Sequence, residues 1–276
     1  VEMPRSSGYT TALRNIGSIR NSGFELQLDG RIIDRAVKWD LGVNFSLNRS
    51  KVLVLSEDKD IFGGELDNTI LKDQLNLMRV GEPMYVFYGY VEDGYDENGH
   101  IVYKNMDDDP AITAADKTII GDPNPDFLVN LTTAVSYKGF TLSAFFQSSI
   151  GNDIYSLSMA AQAYDYGYNG NTLREVYYNH WTPENPTAKY PNLDQTSYKM
   201  SDRFVYDGSF VRLKNLELAY DVPCARSKFI KRARVYVSAQ NLFTITSYPF
   251  WDPDINANGG GSSMIQGVDS YCYPSA

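Results

Sequence analysis

Cysteine and histidine are nearly missing, with two of each in 276 residues. That leaves no disulfide scaffold and little material for a zinc site. Positive charge is short as well: 25 Lys and Arg stand against 34 Asp and Glu, a formal charge of −9. A nucleic-acid-binding surface needs clustered Lys and Arg, so this balance speaks against one. No stretch of about 18 apolar residues occurs, which excludes a transmembrane helix. There is no G-x-S-x-G elbow, phosphate loop or zinc motif to carry catalysis. The opening Val1-Glu2-Met3-Pro4 has no basic or apolar leader region and no initiator Met, so it reads as a mature product or a piece of something longer. Length alone allows one large β domain or two ordinary ones.

What the sequence does contain is tyrosine, 21 residues of it, and strict alternation. From Val37 to Asn48 the odd positions are Val37, Trp39, Leu41, Val43, Phe45 and Leu47, and every even position is polar or Gly. Only a half-buried strand produces that period. Residues 23–33, 127–137, 139–149 and 232–244 repeat it, and 209–222 does so less cleanly. Weaker strands are expected near 69–80 and 84–92. Ordinary strands run about five to six residues, whereas these run about eleven, enough to cross a bilayer core at a tilt. Their polar faces carry charges and amides, which call for water or a wet lumen.

Connections alternate in length. The turns at 34–36, Gly81-Glu82-Pro83 and Tyr137-Lys138-Gly139 are short, and 223–231 is moderate. Segments 49–68, 93–126, 150–203 and 245–276 are long and rich in Asp, Asn, Gly, Pro and Tyr. Several such loops would argue against a compact soluble domain, but an outer-membrane barrel has short turns on one side and long loops on the other. The expected fold is therefore all-β: an antiparallel up-and-down transmembrane barrel segment of about eight strands with long outer loops. No linker divides the chain.

Several segments, in order, resemble the SusC/RagA family of TonB-dependent outer-membrane transporters. They are Asn15-Ile-Gly-Ser-Ile-Arg-Asn-Ser-Gly-Phe-Glu25-Leu, Thr118-Ile-Ile-Gly-Asp-Pro-Asn-Pro-Asp-Phe-Leu128, Tyr137-Lys-Gly-Phe140, Phe145-Phe-Gln147 and Gly151-Asn-Asp-Ile-Tyr155, then Ser209-Phe-Val-Arg-Leu-Lys-Asn-Leu216 and Val235-Tyr-Val-Ser-Ala-Gln-Asn-Leu-Phe243. The resemblance implies a 22-stranded barrel with a plugged lumen, of which this chain would be the C-terminal part. Nothing in it resembles the plug or a TonB box, and the family's last strand, expected just after Tyr273-Pro274, is absent. It further implies outer-membrane import of an oligosaccharide or oligopeptide in a Gram-negative bacterium, a SusD-like lipoprotein partner, energy from TonB through the plug, lipid around the barrel, and no covalent chemistry.

The same resemblance marks residues 105–116 as an EF-hand-like calcium loop, with oxygens from Asn105, Asp107, Asp109, Thr113 and Asp116. Two departures stand against it: Asn105 replaces an Asp, and Pro110 occupies the position where the turn wants Gly. The competing explanation is an acidic, solvated loop, and no cofactor is otherwise expected. Asp96-Glu97-Asn98-Gly99 reads as the turn of a small hairpin. The 150–203 loop gathers Tyr155, Tyr164, Tyr166, Tyr168, Tyr177, Tyr178, Trp181, Tyr190 and Tyr198. Aromatic faces of this kind can stack on a ligand or a partner protein, or can serve as an interfacial girdle and loop packing. The acidic pairs Asp107/Asp109 and Asp252/Asp254 sit in Asp-rich loops, without the opposed placement a glycosidase needs. Cys224 and Cys272 fall at opposite ends of the proposed strands, too far apart for a disulfide. A secreted all-β carbohydrate-binding module or sandwich enzyme remains the alternative, since it would account for the aromatics and the acidity.

Overall fold

The structure is a computed structural model describing residues 17–56, 59–67, 71–164, 171–224, 229–255 and 264–270. Six long strands form one antiparallel wall: β1 (Gly17–Asp34), β2 (Val37–Leu55), β3 (Phe127–Tyr137), β4 (Phe140–Ile150), β5 (Phe210–Val222) and β6 (Ala233–Thr246), each paired with the next in sequence order. Residues that face each other across an antiparallel ladder share a face, so the register sorts the side chains. One row runs Leu28, Val43, Leu131, Phe146; another runs Trp39, Val135, Leu142, Leu218, Val237. The opposite face carries the row Gln27, Asn44, Asn130, Gln147, Arg212, Thr244. The sheet is thus apolar on one side and amide-rich on the other, as the alternation requires.

The apolar side is open. Phe24 is 57% exposed, Leu142 48%, Val235 65% and Val237 67%. A sandwich would bury these residues under a second sheet; here they form an outward band. From Val37 to Leu47 the strand rises about 33 Å, which at a tilt of about 40° gives about 25 Å, the height of a barrel's apolar band.

The turn at the β3–β4 hairpin shows the local chemistry. Lys138 (φ 48°) and Gly139 (φ 87°) are both left-handed, the two-residue turn whose twist matches paired strands. On β5 the ladder slips at Lys214, which is skipped in the pairings with both neighbours. The bulge reverses the alternation beyond it: Leu213 joins the apolar face opposite Phe146, and Arg212 joins the polar face opposite Gln147.

The described part of the segments expected as strands at 69–80 and 84–92, residues 71–80 and 84–92, forms no wall strand, and β2 pairs directly with β3. The expected eight strands are six among the described residues. Among the described residues these two segments hold the short strands Lys72–Gln74, Asn76–Met78 and Val86–Gly89, and the start of Glu92–Tyr95. Neighbouring side chains are buried on both faces at 75–77 and 86–87: Leu75, Leu77 and Phe87 are 0% exposed, Asn76 and Val86 1%. That pattern belongs to a packed core, not to a wall with one lipid face. The Gly81-Glu82 turn likewise lies at the outer end, where Gly81 N–H donates to Val52 O (2.9 Å) and Val52 N–H to Glu82 O (3.0 Å).

Candidate functional site

The long connections leave the wall at the end opposite its hairpin turns and fold into a cap with a core of its own. Phe87, Tyr90, Tyr103, Tyr155, Met200, Phe204 and Val268 meet there. The hairpin expected at Asp96–Gly99 forms, pairing Glu92–Tyr95 with Ile101–Tyr103. Gly99 has φ 80°, and a Cβ on it would lie 2.2 Å from the Trp181 ring, so both the turn and the indole demand glycine. Glu92 holds the cap together from below: it accepts from Ser201 Oγ (2.6 Å) and from the Arg203 guanidinium.

The expected aromatic cluster divides. Tyr155 and Tyr164 are core residues, 0% and 5% exposed, with Tyr164 stacked on Tyr198 at 3.8 Å. Burial pushes the phenols of Tyr103, Tyr155 and Tyr164 up, so they stay neutral. Trp181 is half-buried over the hairpin. Tyr177 and Tyr178, on the short helix α1 (Arg174–Tyr178), are 61% and 65% exposed, and the Arg174 guanidinium lies 5.5 Å from the centre of the Tyr178 ring. Tyr166 and Tyr168 lie outside the described residues, as does Cys272; Cys224 is a free thiol.

Between wall and cap, on the polar face, lies a cavity of about 230 Å³ lined by Asn130, Gln147, Ser149, Asn152, Phe210 and Asp254, with Pro123, Pro125 and Pro253. Asn130 Oδ1 has no hydrogen-bond partner among the described residues. The cavity's roof is the segment after β6, held down by Arg212. This side chain is 2% exposed, binds Asp252 directly and approaches Asp254 at 3.6 Å, while its Nε donates to Thr244 Oγ1 at 2.9 Å. Amide groups, a phenyl ring and proline walls suit a neutral polar chain that offers both hydrogen bonds and flat apolar faces. Sequence reasoning missed this site. Arg212 was visible within a matched segment, but nothing in the alternation announces a partner 40 residues on.

No family model matches the chain. TonB-dependent receptor P3 of Formosa agariphila is 31% identical over 99% of this chain and 29% of that protein. TonB-dependent receptor SusC of Bacteroides thetaiotaomicron is 27% identical over 100% of this chain and 27% of SusC. The RagAB peptide transporter structure superposes with a TM-score of 0.79 at 26% identity, covering 99% of this chain and 30% of that one. The chain belongs to the TonB-dependent receptors of the SusC/RagA type. It spans about 30% of the length of the relatives it matches.

Within such a receptor the acidic loop 105–116 is a capped turn. Asn105 Oδ1 accepts from Asp107 N–H (3.1 Å), Asp107 Oδ1 from Asp109 N–H (2.8 Å) and Asp109 Oδ1 from Ala111 N–H (3.0 Å). Thr113 Oγ1 accepts from Ala115 N–H, and Asp116, fully buried, takes Met106 N–H and Thr113 N–H, each at 2.7 Å. No three Asp, Glu, His or Cys converge as a metal cage among the described residues. Asp252 and Asp254 share one guanidinium and do not face each other across a cleft.

Asp116 also makes a pH prediction. The Met106 and Thr113 N–H bonds hold its carboxyl below the usual range. A depressed carboxylate stabilises the fold above its unfolded pKa of about 3.9, and that contribution is lost as pH falls through the folded value. The amides of Met106 and Thr113, corrected for intrinsic exchange, should stay protected at neutral pH and open only below about 3.9. Equal exposure at pH 7 would refute the assignment.

Proposed function

We propose that this chain forms wall and outer loops of an outer-membrane importer for oligosaccharides or oligopeptides in a Gram-negative bacterium. The observation that carries the reading is the two-faced wall: a continuous exposed apolar band behind, an amide-lined face in front. In lipid, backbone groups at a sheet edge must be paired. Among the described residues nothing pairs with the free edges of β1 and β6. Further strands of the same receptor would close the ring, with this chain in the C-terminal part of the barrel and the plug as a separate segment. TonB acting through that plug would supply the energy.

The peptide class has the support of one solved neighbour, the RagAB peptide transporter. The cavity chemistry accepts hydroxyls and peptide amides alike. A SusD-like lipoprotein would sit over the outer loops, where Tyr177 and Tyr178 stand exposed. No residue has a catalytic role in this reading.

The test is uptake by cells carrying the full receptor. Deleting it should abolish growth on one polymer class, glycan or peptide. Asn130→Leu with Gln147→Leu should slow that uptake about tenfold, the equivalent of about one hydrogen bond of roughly 1.4 kcal/mol. Unchanged uptake of both classes in the deletion would end the proposal.

A further inference from the structure

The formal charge of −9 hides a separation of charge along the barrel axis. The connection 56–126, on the capped side, holds 17 Asp or Glu and five Lys or Arg. The segments at the three hairpin turns, 34–38, 138–139 and 221–234, hold eight Lys or Arg and two Asp. Arg35, Lys138, Lys231 and Arg232 are exposed there. Among the described residues the ion pairs at this end, Arg31–Asp34, Arg31–Asp40 and Arg234–Glu217, use other cations.

A belt of rings lies directly above these cations on the apolar face. Tyr137, Phe140, Tyr220 and Val235 share one row, with the rings of Phe140 and Tyr220 4.4 Å apart. Trp39 sits one step further in, its Nε1 donating to Thr133 Oγ1 at 2.9 Å. The Lys138 ammonium lies 5.1 Å from the centre of the Tyr137 ring, which places this cation on the lipid side of the wall. Beyond the belt, Phe229 is 96% exposed and Ile230 53%, next in sequence to Lys231 and Arg232. Aromatics at the boundary, cations one step outward and apolar side chains among them are the chemistry of an anionic lipid surface.

We propose that the hairpin-turn end of this wall docks on anionic phospholipid headgroups of the membrane's inner leaflet, through Arg35, Lys138, Lys231 and Arg232. The proposal rests on the outer-membrane reading above. Charge complementarity selects this occupant, because none of the four cations has a carboxylate partner among the described residues and a headgroup of net negative charge supplies one. The contact would also fix the depth and tilt of the wall, leaving the acidic cap projecting on the other side.

The experiment uses the full receptor that carries this chain, reconstituted in phosphatidylcholine vesicles. Spin-labelled phosphatidylglycerol and spin-labelled phosphatidylcholine compete for its surface, and the readout is their relative association. A single interfacial cation is worth about fivefold at low salt, so the receptor should favour phosphatidylglycerol at least fivefold, and 1 M NaCl should reduce the preference. Changing Arg35→Gln, Lys138→Asn, Lys231→Gln and Arg232→Gln together should bring the ratio close to one; Asn is used at 138 because it tolerates the left-handed backbone. Heat-modifiable migration on a gel confirms that each protein is folded. A folded receptor with no lipid preference, or a variant that keeps it, overturns the docking proposal alone. A receptor that never enters vesicles overturns the outer-membrane reading, and this proposal with it.

Discussion

Arg212→Met should destabilise the roof of the rim cavity by about 3–5 kcal/mol, the usual cost of removing one partner from a buried ion pair. The bulge at Lys214 turns Arg212 onto the polar face, and there the side chain is 2% exposed against Asp252 at 7%. Met keeps much of the volume but leaves the Asp252 carboxylate facing a site from which water is excluded. Asp254, nearly half exposed, can return to solvent; Asp252 cannot. The double variant Arg212→Met with Asp252→Leu removes both charges and should recover most of the loss, because burial of a carboxylate without its cation, and not the missing attraction, sets the cost. Denaturant unfolding of the assembled receptor measures the total, and protease cleavage within 247–255 locates it. If the single variant costs under about 1 kcal/mol, as an exposed pair would, or the double variant is no better than the single, the buried-clasp account is wrong.

The wall was legible because a strand with oil on one side and water on the other must alternate, and β2 from Val37 to Leu47 does so without a break, with β3, β4 and β6 following over most of their length. Trp39, Phe45, Leu142 and Val237 lie on the face that the pattern assigns them. Residues 69–80 and 84–92 misled because Leu75, Leu77, Val86 and Phe87 also look like strand residues. A buried loop core and a lipid-facing wall both select apolar β-formers, and only the second leaves one face polar. The cap's tyrosines misled for a related reason. A phenol can fill a core, stack on a ligand or sit at an interface, and sequence spacing does not separate Tyr155, at 0% exposure, from Tyr178, at 65%. The Arg212 clasp was out of reach because it depends on a one-residue slip in the ladder, which changes no residue type.

The two-faced wall itself is tested by neighbours in sequence. Leu131 stands at the middle of β3, between Val43 and Phe146 on the apolar face. Thr132, the next residue, points the other way, into a hollow of about 350 Å³ lined by Asp29, Arg31 and Asp40. Leu131→Arg should therefore destabilise the receptor in lipid vesicles by about 2–4 kcal/mol, the cost of a cation near the bilayer midplane. Thr132→Arg places the same side chain beside two carboxylates in a wet space and should cost less than about 1 kcal/mol. Folding titrations in phosphatidylcholine vesicles compare the two directly. The sign of the difference matters more than its size, since both variants change the same strand by one residue of the same kind. Equal losses would mean that neither face meets lipid. A larger loss at Thr132 would mean that the wall is inside out, with its amides toward the bilayer and its apolar band around the lumen.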